Sequence, residues 1–147
     1  MNQKTILLTA IPVGIVGIGA LGYYLIQKKK KEEKVTVTVE LSPADTIVCT
    51  DQTITVTAKT GLGTPIANAP GILTPYIEGQ KGRDYIFTTR EDGTWSGSMC
   101  WQSGGHETVP TTRYESLSYV VTVAGATGTG NGRIVYPQGT VLPCNCA

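Results

Sequence analysis

The sequence predicts an all-β protein, an antiparallel β-sandwich of about seven or eight strands, preceded by one N-terminal transmembrane α-helix. Two observations predict the sandwich. Apolar and polar residues alternate in many short segments, and turn-forming residues separate these segments roughly every eight to twelve positions. A third observation predicts the helix. The run from Thr5 to Ile26 carries no charge, and at about 1.5 Å per residue a helix of this length crosses a hydrocarbon core about 30 Å thick.

The uncharged run is interpreted as a retained single-pass membrane anchor within residues 1–27. A cleaved signal peptide is the alternative, but its apolar region is usually about 7–15 residues long, and cleavage at the small-x-small site of residues 20–22 would leave an apolar N-terminus. The tyrosines near the end of the run suit the membrane interface. The side chains expected to lie in the membrane are Ile6, Leu7, Leu8, Ile11, Val13, Ile15, Val16, Ile18, Leu21, Tyr23, Tyr24, Leu25 and Ile26.

A basic juxtamembrane segment, residues 28–34, follows the anchor. Its first four residues are expected to lie at lipid headgroups; they are Lys28, Lys29, Lys30 and Lys31. By the positive-inside rule these lysines place the C-terminal domain in the cytosol at synthesis, whereas paired cysteines favour an oxidising location. Export against the rule, or assembly of a virus around an internal membrane, would reconcile the two. Intracellular proteins of hyperthermophiles also carry disulfides, which is a further alternative. The localisation expected is a single-pass membrane protein whose C-terminal domain lies outside the membrane, on a virion or cell surface.

Residues 35–147 are expected to form one domain with a C-terminal tail. The Glu91-Asp92-Gly93 sequence predicts a hairpin turn, and the glycine-rich residues 125–132 are expected to be a second turn between strands. Residues 140–146 are expected to form an extended tail. The alternation predicts strands at residues 35–41, 46–49, 53–58, 71–78, 84–89, 94–102, 117–123 and 133–136.

Five segments carry a resemblance to a known family; they are residues 39–43, 53–58, 63–69, 89–95 and 119–123. These segments resemble the bacterial immunoglobulin-like (Ig-like) domains of invasin- and intimin-type surface proteins. The resemblance extends from about Val35 to Tyr136 and implies an Ig-like β-sandwich that spaces, displays or polymerises, usually without catalysis. Such domains normally occur in tandem and lack the cysteines found in this chain, so the resemblance does not extend to a long adhesin stalk.

The four cysteines, Cys49, Cys100, Cys144 and Cys146, are disulfide candidates because their number is even. The two tail cysteines are two positions apart, so in an extended strand their side chains point to opposite faces and are not expected to bond to each other. We expect one of them to bond to Cys49 and the other to Cys100. The alternative is a Cys49–Cys100 bond that leaves the tail cysteines for another chain. A zinc site is disfavoured because paired Cys-x-x-Cys motifs are missing from the sequence.

The sequence predicts no enzyme, no cofactor and no metal site. His106 is the sole histidine and lies in a polar, glycine-rich segment that is expected to be an exposed loop. Residues 125–132 lack the Lys-Ser/Thr ending and the following helix of a phosphate-binding loop. The aspartates do not have the spacing of a calcium loop. A net charge of +1, with no basic cluster beyond the lysine-rich segment, gives no reason to expect nucleic acid.

The expected function is therefore structural: the anchor holds a lipid bilayer, and the sandwich joins a surface assembly through other structural proteins or copies of itself. A small-molecule substrate is not expected. An adhesion or receptor-binding module on a cell or virion is the alternative. The strand at residues 35–41 is a candidate for insertion into a neighbour's sheet, but completion of its own sandwich is the more favoured alternative.

Overall fold

A computed structural model describes residues 34–146. The predicted membrane anchor and Lys28 to Lys31 lie outside the described residues. Between residues 34 and 146 there is no helix, so none there has the length and apolarity needed to cross a bilayer. This part of the chain forms nine strands: β1 (Val35–Ser42), β2 (Asp45–Ile47), β3 (Asp51–Thr60), β4 (Pro70–Ile77), β5 (Gln80–Lys81), β6 (Tyr85–Thr88), β7 (Thr94–Cys100), β8 (Arg113–Val123) and β9 (Ala126–Tyr136).

The strands form two sheets, so the prediction of an all-β sandwich is confirmed. Sheet A has the order β1-β3-β7 and sheet B the order β2-β9-β8-β4-β5, with β6 also paired to β4. Strand β3 shows why the sequence adopts this fold, because every second residue from Gln52 to Ala58 is buried against sheet B. All pairs are antiparallel except β2, which runs parallel to β9. Strand β5 is the strand that the sequence did not predict. It has only two residues and is therefore too short to show alternation.

The interpretation of residues 125–132 as a turn is wrong. Only Ala124 and Gly125 make the turn, both with positive φ, and β9 continues for 11 residues from Ala126 to Tyr136. Glycines at every second position of this strand face β1. A side chain at Gly128 would overlap the backbone carbonyl of Val37. The glycines thus allow the two sheets to approach closely along this side of the sandwich.

The hairpin predicted at Glu91-Asp92-Gly93 is also corrected. A turn does form there, since the Gly93 amide donates to the Arg90 carbonyl at 3.0 Å. It does not join neighbours in one sheet, because β6 pairs with β4 in sheet B whereas β7 pairs with β3 in sheet A. The segment instead carries the chain from one sheet to the other. Local turn chemistry is the same in both cases, so the sequence could not distinguish them.

Strand β1 completes its own sandwich rather than standing free. It pairs with β3 in a continuous register from Val35–Thr60 to Ser42–Thr53. The same register, extended through β7, defines two ends of sheet A. We call the end at Val35 and Thr60 the proximal end, because the chain enters there from residue 34. The end at Ser42, Asp51 and Cys100 is the distal end.

We expect Gly128→Val to separate β1 from β9, because the new side chain would overlap backbone rather than a movable side chain. The free energy of unfolding should fall by about 2–3 kcal/mol, the usual cost of overpacking. Urea unfolding followed by tryptophan fluorescence measures it. Thr129→Val is the matched control, since Thr129 is exposed and its change should stay within about 0.5 kcal/mol. Equal stability of the two variants would contradict the close approach.

Candidate functional site: a disulfide clamp and an open groove

Two disulfides join the C-terminal tail to sheet A. Cys49 bonds to Cys144 and Cys100 bonds to Cys146, with Cα–Cα distances of 5.9 and 6.0 Å. Cys100 ends β7 opposite Asp51. Cys49 lies in the turn before β3, and its amide donates to the Trp101 carbonyl at 2.8 Å, so the two body cysteines lie close together at the distal end. The tail crosses both strand ends and bonds to each. This is the arrangement expected of a tail joined to the body at two points, and the alternative Cys49–Cys100 bond is not formed.

The tail also packs against the loop that follows β7. The Leu142 amide donates to the Glu107 carbonyl, and the Val109 amide donates to the Thr140 carbonyl, both at 2.8 Å. Leu142 and Val109 are buried, although neither lies in a strand. We call residues 101–112 and 137–146, with Cys49, the distal clamp. It covers the distal end of the core and ties sheet B, through β9, to sheet A.

A buried chain of hydrogen bonds lies beneath the clamp. The Tyr119 hydroxyl of β8 donates to Gln52 Oε1 of β3 at 2.7 Å, and Trp101 Nε1 donates to the Tyr119 oxygen at 3.1 Å. Gln52 Nε2 donates in turn to the carbonyls of Pro43 and Ala44, at 2.7 and 3.3 Å. Gln52 and Tyr119 are fully buried. Burial raises the pKa of the Tyr119 phenol to about 12, against a smaller lowering by the Trp101 hydrogen bond.

The charged side chains near the distal end form ion pairs on the surface. Arg133 bonds to Asp45 and lies 4.6 Å from the Tyr114 ring centroid. The hydrogen bond from Arg133 holds the pKa of the Asp45 carboxyl below its usual value. Arg113 bonds to Glu107 at 2.6 Å. The first pair joins β2 to β9, and the second joins the clamp loop to β8. Because both pairs are exposed, each contributes little to stability.

The residues considered for catalysis or metal binding do not converge. His106 is exposed in the clamp loop, and the nearby Ser103 hydroxyl accepts from the Gly105 amide at 3.4 Å. All four cysteines are consumed in disulfides. Among residues 34–146 there is no group of three His, Cys, Asp or Glu side chains that could hold a metal ion.

The open side of the sandwich, opposite the β1–β9 contact, carries a groove of about 310 Å³. It lies between β6, an edge of sheet B, and β7, an edge of sheet A. Phe87 of β6 stacks on Trp95 of β7, with ring centroids 4.6 Å apart. The Trp95 ring extends over Gly97, where a side chain would overlap it. The lining residues are Tyr85, Ile86, Trp95, Gly97, Ser98, Met99, Cys100 and Trp101.

The sequence predicts the disulfide-bonded cysteines but not this groove. A signal was present, since Trp95, Met99 and Trp101 share one face at period two. That periodicity is also the pattern of an ordinary core-facing strand. Only the position of β7 at the edge of its sheet leaves the row half-buried.

Comparisons with known proteins give limited similarity. No protein-family model matches the chain, and no curated protein matches it. Among solved structures, the chain is similar to the CARDB domain of a Pyrococcus furiosus protein, determined in complex with di-metal ions. The TM-score is 0.40 at 15% sequence identity, over 69% of this chain and 87% of the other.

We expect loss of the disulfides to destabilise the sandwich. Replacing Cys49 and Cys144 together by alanine removes the bond that spans 95 residues, which the chain-entropy model values at roughly 4–5 kcal/mol. Replacing Cys100 and Cys146 removes the bond that spans 46 residues and should cost about as much, because the remaining bond in each double variant leaves loops of similar length to be closed. Urea unfolding of both double variants measures these costs. A Cys49–Cys100 peptide in a non-reducing digest would contradict the pairing.

We expect Tyr119→Phe to lower the free energy of unfolding by about 1–3 kcal/mol, because Gln52 Oε1 and Trp101 Nε1 both lose a partner. Tyr114→Phe is the control, since Tyr114 is 54% exposed, and should change stability by less than about 0.5 kcal/mol. The pKa of Tyr119 is raised in the folded state. Its contribution is therefore complete below pH 10 and is lost as the pH rises towards 12. Urea unfolding of wild type and Tyr119→Phe across this range should show a shallower alkaline loss in the variant.

Proposed function

We propose that this protein is a non-enzymatic structural protein that is anchored in a membrane and tethers an Ig-like sandwich, of the kind found in invasin- and intimin-type proteins, into a surface assembly. The observation that carries the proposal is the placement of the two ends of sheet A. The chain enters β1 at the proximal end, and the disulfide clamp closes the distal end. An anchor preceding residue 34 would therefore direct the clamp away from the bilayer.

The dimensions suit a spacer. The eight residues of β1 rise about 3.3 Å each, which separates the two ends by roughly 26 Å. Two covalent bonds and a buried hydrogen-bond chain hold the distal end rigid against sheet A and sheet B. A rigid, outward end is what an assembly contact requires, since little conformational entropy is then lost on association.

Adhesion or receptor binding is the second candidate. The observation that favours it is the groove on the open side, where Trp95, Trp101 and Tyr85 are partly exposed. Aromatic side chains of this kind are enriched where proteins bind partners. In this role the membrane anchor would display the sandwich to another surface, rather than build it into a lattice of structural proteins.

The assembly function predicts contacts at the distal end of the full-length protein in its native membrane. A photo-crosslinking residue at Val141, which is 67% exposed in the clamp, should form an adduct with another structural protein or a second copy. The matched control is Leu62, which is 44% exposed in the loop after Thr60 at the proximal end and should not.

Membrane attachment is measured in the same preparation. The full-length protein should remain in alkali-washed membranes, whereas a variant lacking residues 5–26 should be released. An intact mass that begins near Tyr23 would show cleavage and overturn the anchor. Retention in the membrane without any adduct at Val141 would overturn the assembly function and leave the anchor in place.

A further inference from the structure

Among the residues that the structure describes, strand β7 is an edge strand without the usual protection. Within residues 34–146 it has one sheet neighbour, β3. Natural edge strands are commonly protected by charged residues, by proline or by a covering segment. The seven residues of β7, Thr-Trp-Ser-Gly-Ser-Met-Cys, include neither a charge nor a proline. The opposite edge of sheet A differs, because β1 contains Glu40 and lies against β9.

The register shows which backbone groups of β7 point away from the sandwich. The Ala58 amide donates to the Gly93 carbonyl at 2.9 Å, and these residues are opposite each other in the β3–β7 register. Hydrogen-bonded pairs alternate along antiparallel strands, so Trp95, Gly97 and Met99 bond to β3. The amide and carbonyl groups of Ser96 and Ser98 are then directed outward. These two residues are two positions apart, which is the spacing at which an edge strand bonds to a further strand.

The groove beside these backbone groups suits apolar side chains. None of its eight lining residues is charged. The side chains of Trp95 and Met99 form its sheet A wall, and Tyr85 and Ile86 of β6 form the other. Because β6 lies in sheet B and no strand of residues 34–146 extends sheet A beyond β7, these two edges meet at the Phe87–Trp95 stack, with the groove beside it.

We propose that β7 accepts an extended segment of a different polypeptide as a fourth strand of sheet A, with alternate apolar side chains of that segment entering the groove. Backbone groups of Ser96 and Ser98 supply the hydrogen bonds, and the groove selects an uncharged segment with apolar residues at every second position. The inference goes beyond the proposed function, because it places a second contact surface on the open side of the sandwich and names the chemistry of its partner.

A second copy of this chain fits the groove less well. Strand β1, a possible donor, is paired over its whole length. If two β7 strands paired antiparallel about a two-fold axis, their proximal ends would point in opposite directions, which anchors in one bilayer do not permit. If they paired parallel, the symmetry would turn the outward serines, rather than apolar side chains, towards each groove. A strand from a different polypeptide is limited neither by the shared bilayer nor by the two-fold symmetry.

The test uses the full-length protein in phosphatidylcholine nanodiscs and a labelled peptide, acetyl-Thr-Val-Thr-Val-Thr-Val-Thr-amide. Both tryptophans of the chain line the groove, so tryptophan fluorescence reports its occupancy and anisotropy of the label reports binding. Two control peptides separate the contributions. One has the same composition with the valines consecutive, and the other is N-methylated at alternate residues and cannot complete the hydrogen bonds. Each should bind about tenfold more weakly or worse.

The matched protein variants change one backbone group. Ser98→Pro removes an outward amide while the bonds to β3 remain, and should weaken binding by about tenfold or more. Ser98→Thr keeps the amide and should bind as wild type does. If Ser98→Pro fails to fold, the N-methylated peptide still tests the same bond from the ligand side. Equal binding of all three peptides would overturn the proposal, as would binding unaffected by both Ser98→Pro and N-methylation.

Self-association that Ser98→Pro abolishes would overturn the choice of partner, since the edge would then serve copies of this chain. The peptide result is independent of the membrane tests. If the protein is cleaved and released from membranes, the same assay applies to it in solution. Peptide binding with failed membrane retention would overturn the proposed function and leave the docking site standing.

Discussion

The hydrogen bond between Tyr119 and Gln52 is the interaction on which the arrangement of the distal half depends. It joins the two sheets through a core made mostly of apolar side chains. A buried amide is costly unless every polar atom has a partner. Gln52 meets this requirement with one acceptor bond and two donor bonds, which also hold the Pro43–Ala44 corner between β1 and β2. Trp101 joins through Tyr119, so the end of β7 is positioned by the same chain.

The disulfide clamp lies over this network and extends its effect to the tail. Cys49 lies three residues before Gln52, and Cys100 directly precedes Trp101. Both body cysteines are therefore close in sequence to residues of the hydrogen-bond network. The polar chain sets where the strand ends lie, and the covalent bonds hold the tail across them. Because β9 leads into the tail, the clamp also restrains the relative position of the two sheets. The distal end is thus rigid for reasons that are independent of any partner.

The two sides of the sandwich differ in how closely the edges of the two sheets pack. On one side, the glycines of β9 let β1 approach, and backbone packs against backbone. On the other side, large aromatic residues occupy β7, and Phe87 of sheet B stacks on Trp95 of sheet A. The closed side buries one edge of sheet A, whereas the open side exposes the other edge next to an apolar groove. Within residues 34–146, an edge strand with one sheet neighbour and apolar groove walls therefore lie together on this side.

Local sequence was enough to identify the sandwich, most of its strands and the disulfide-bonded tail. Alternation depends on neighbouring residues alone, and the spacing of Cys144 and Cys146 already separates their side chains. The roles of residues 125–132, the Glu91–Gly93 turn and the Trp95–Trp101 row depended on which strands became neighbours. The sequence alone does not distinguish a glycine in a turn from a glycine that packs under a crossing strand. A row of apolar residues becomes a core or a groove according to whether another strand covers it, and that depends on contacts between residues far apart in the chain.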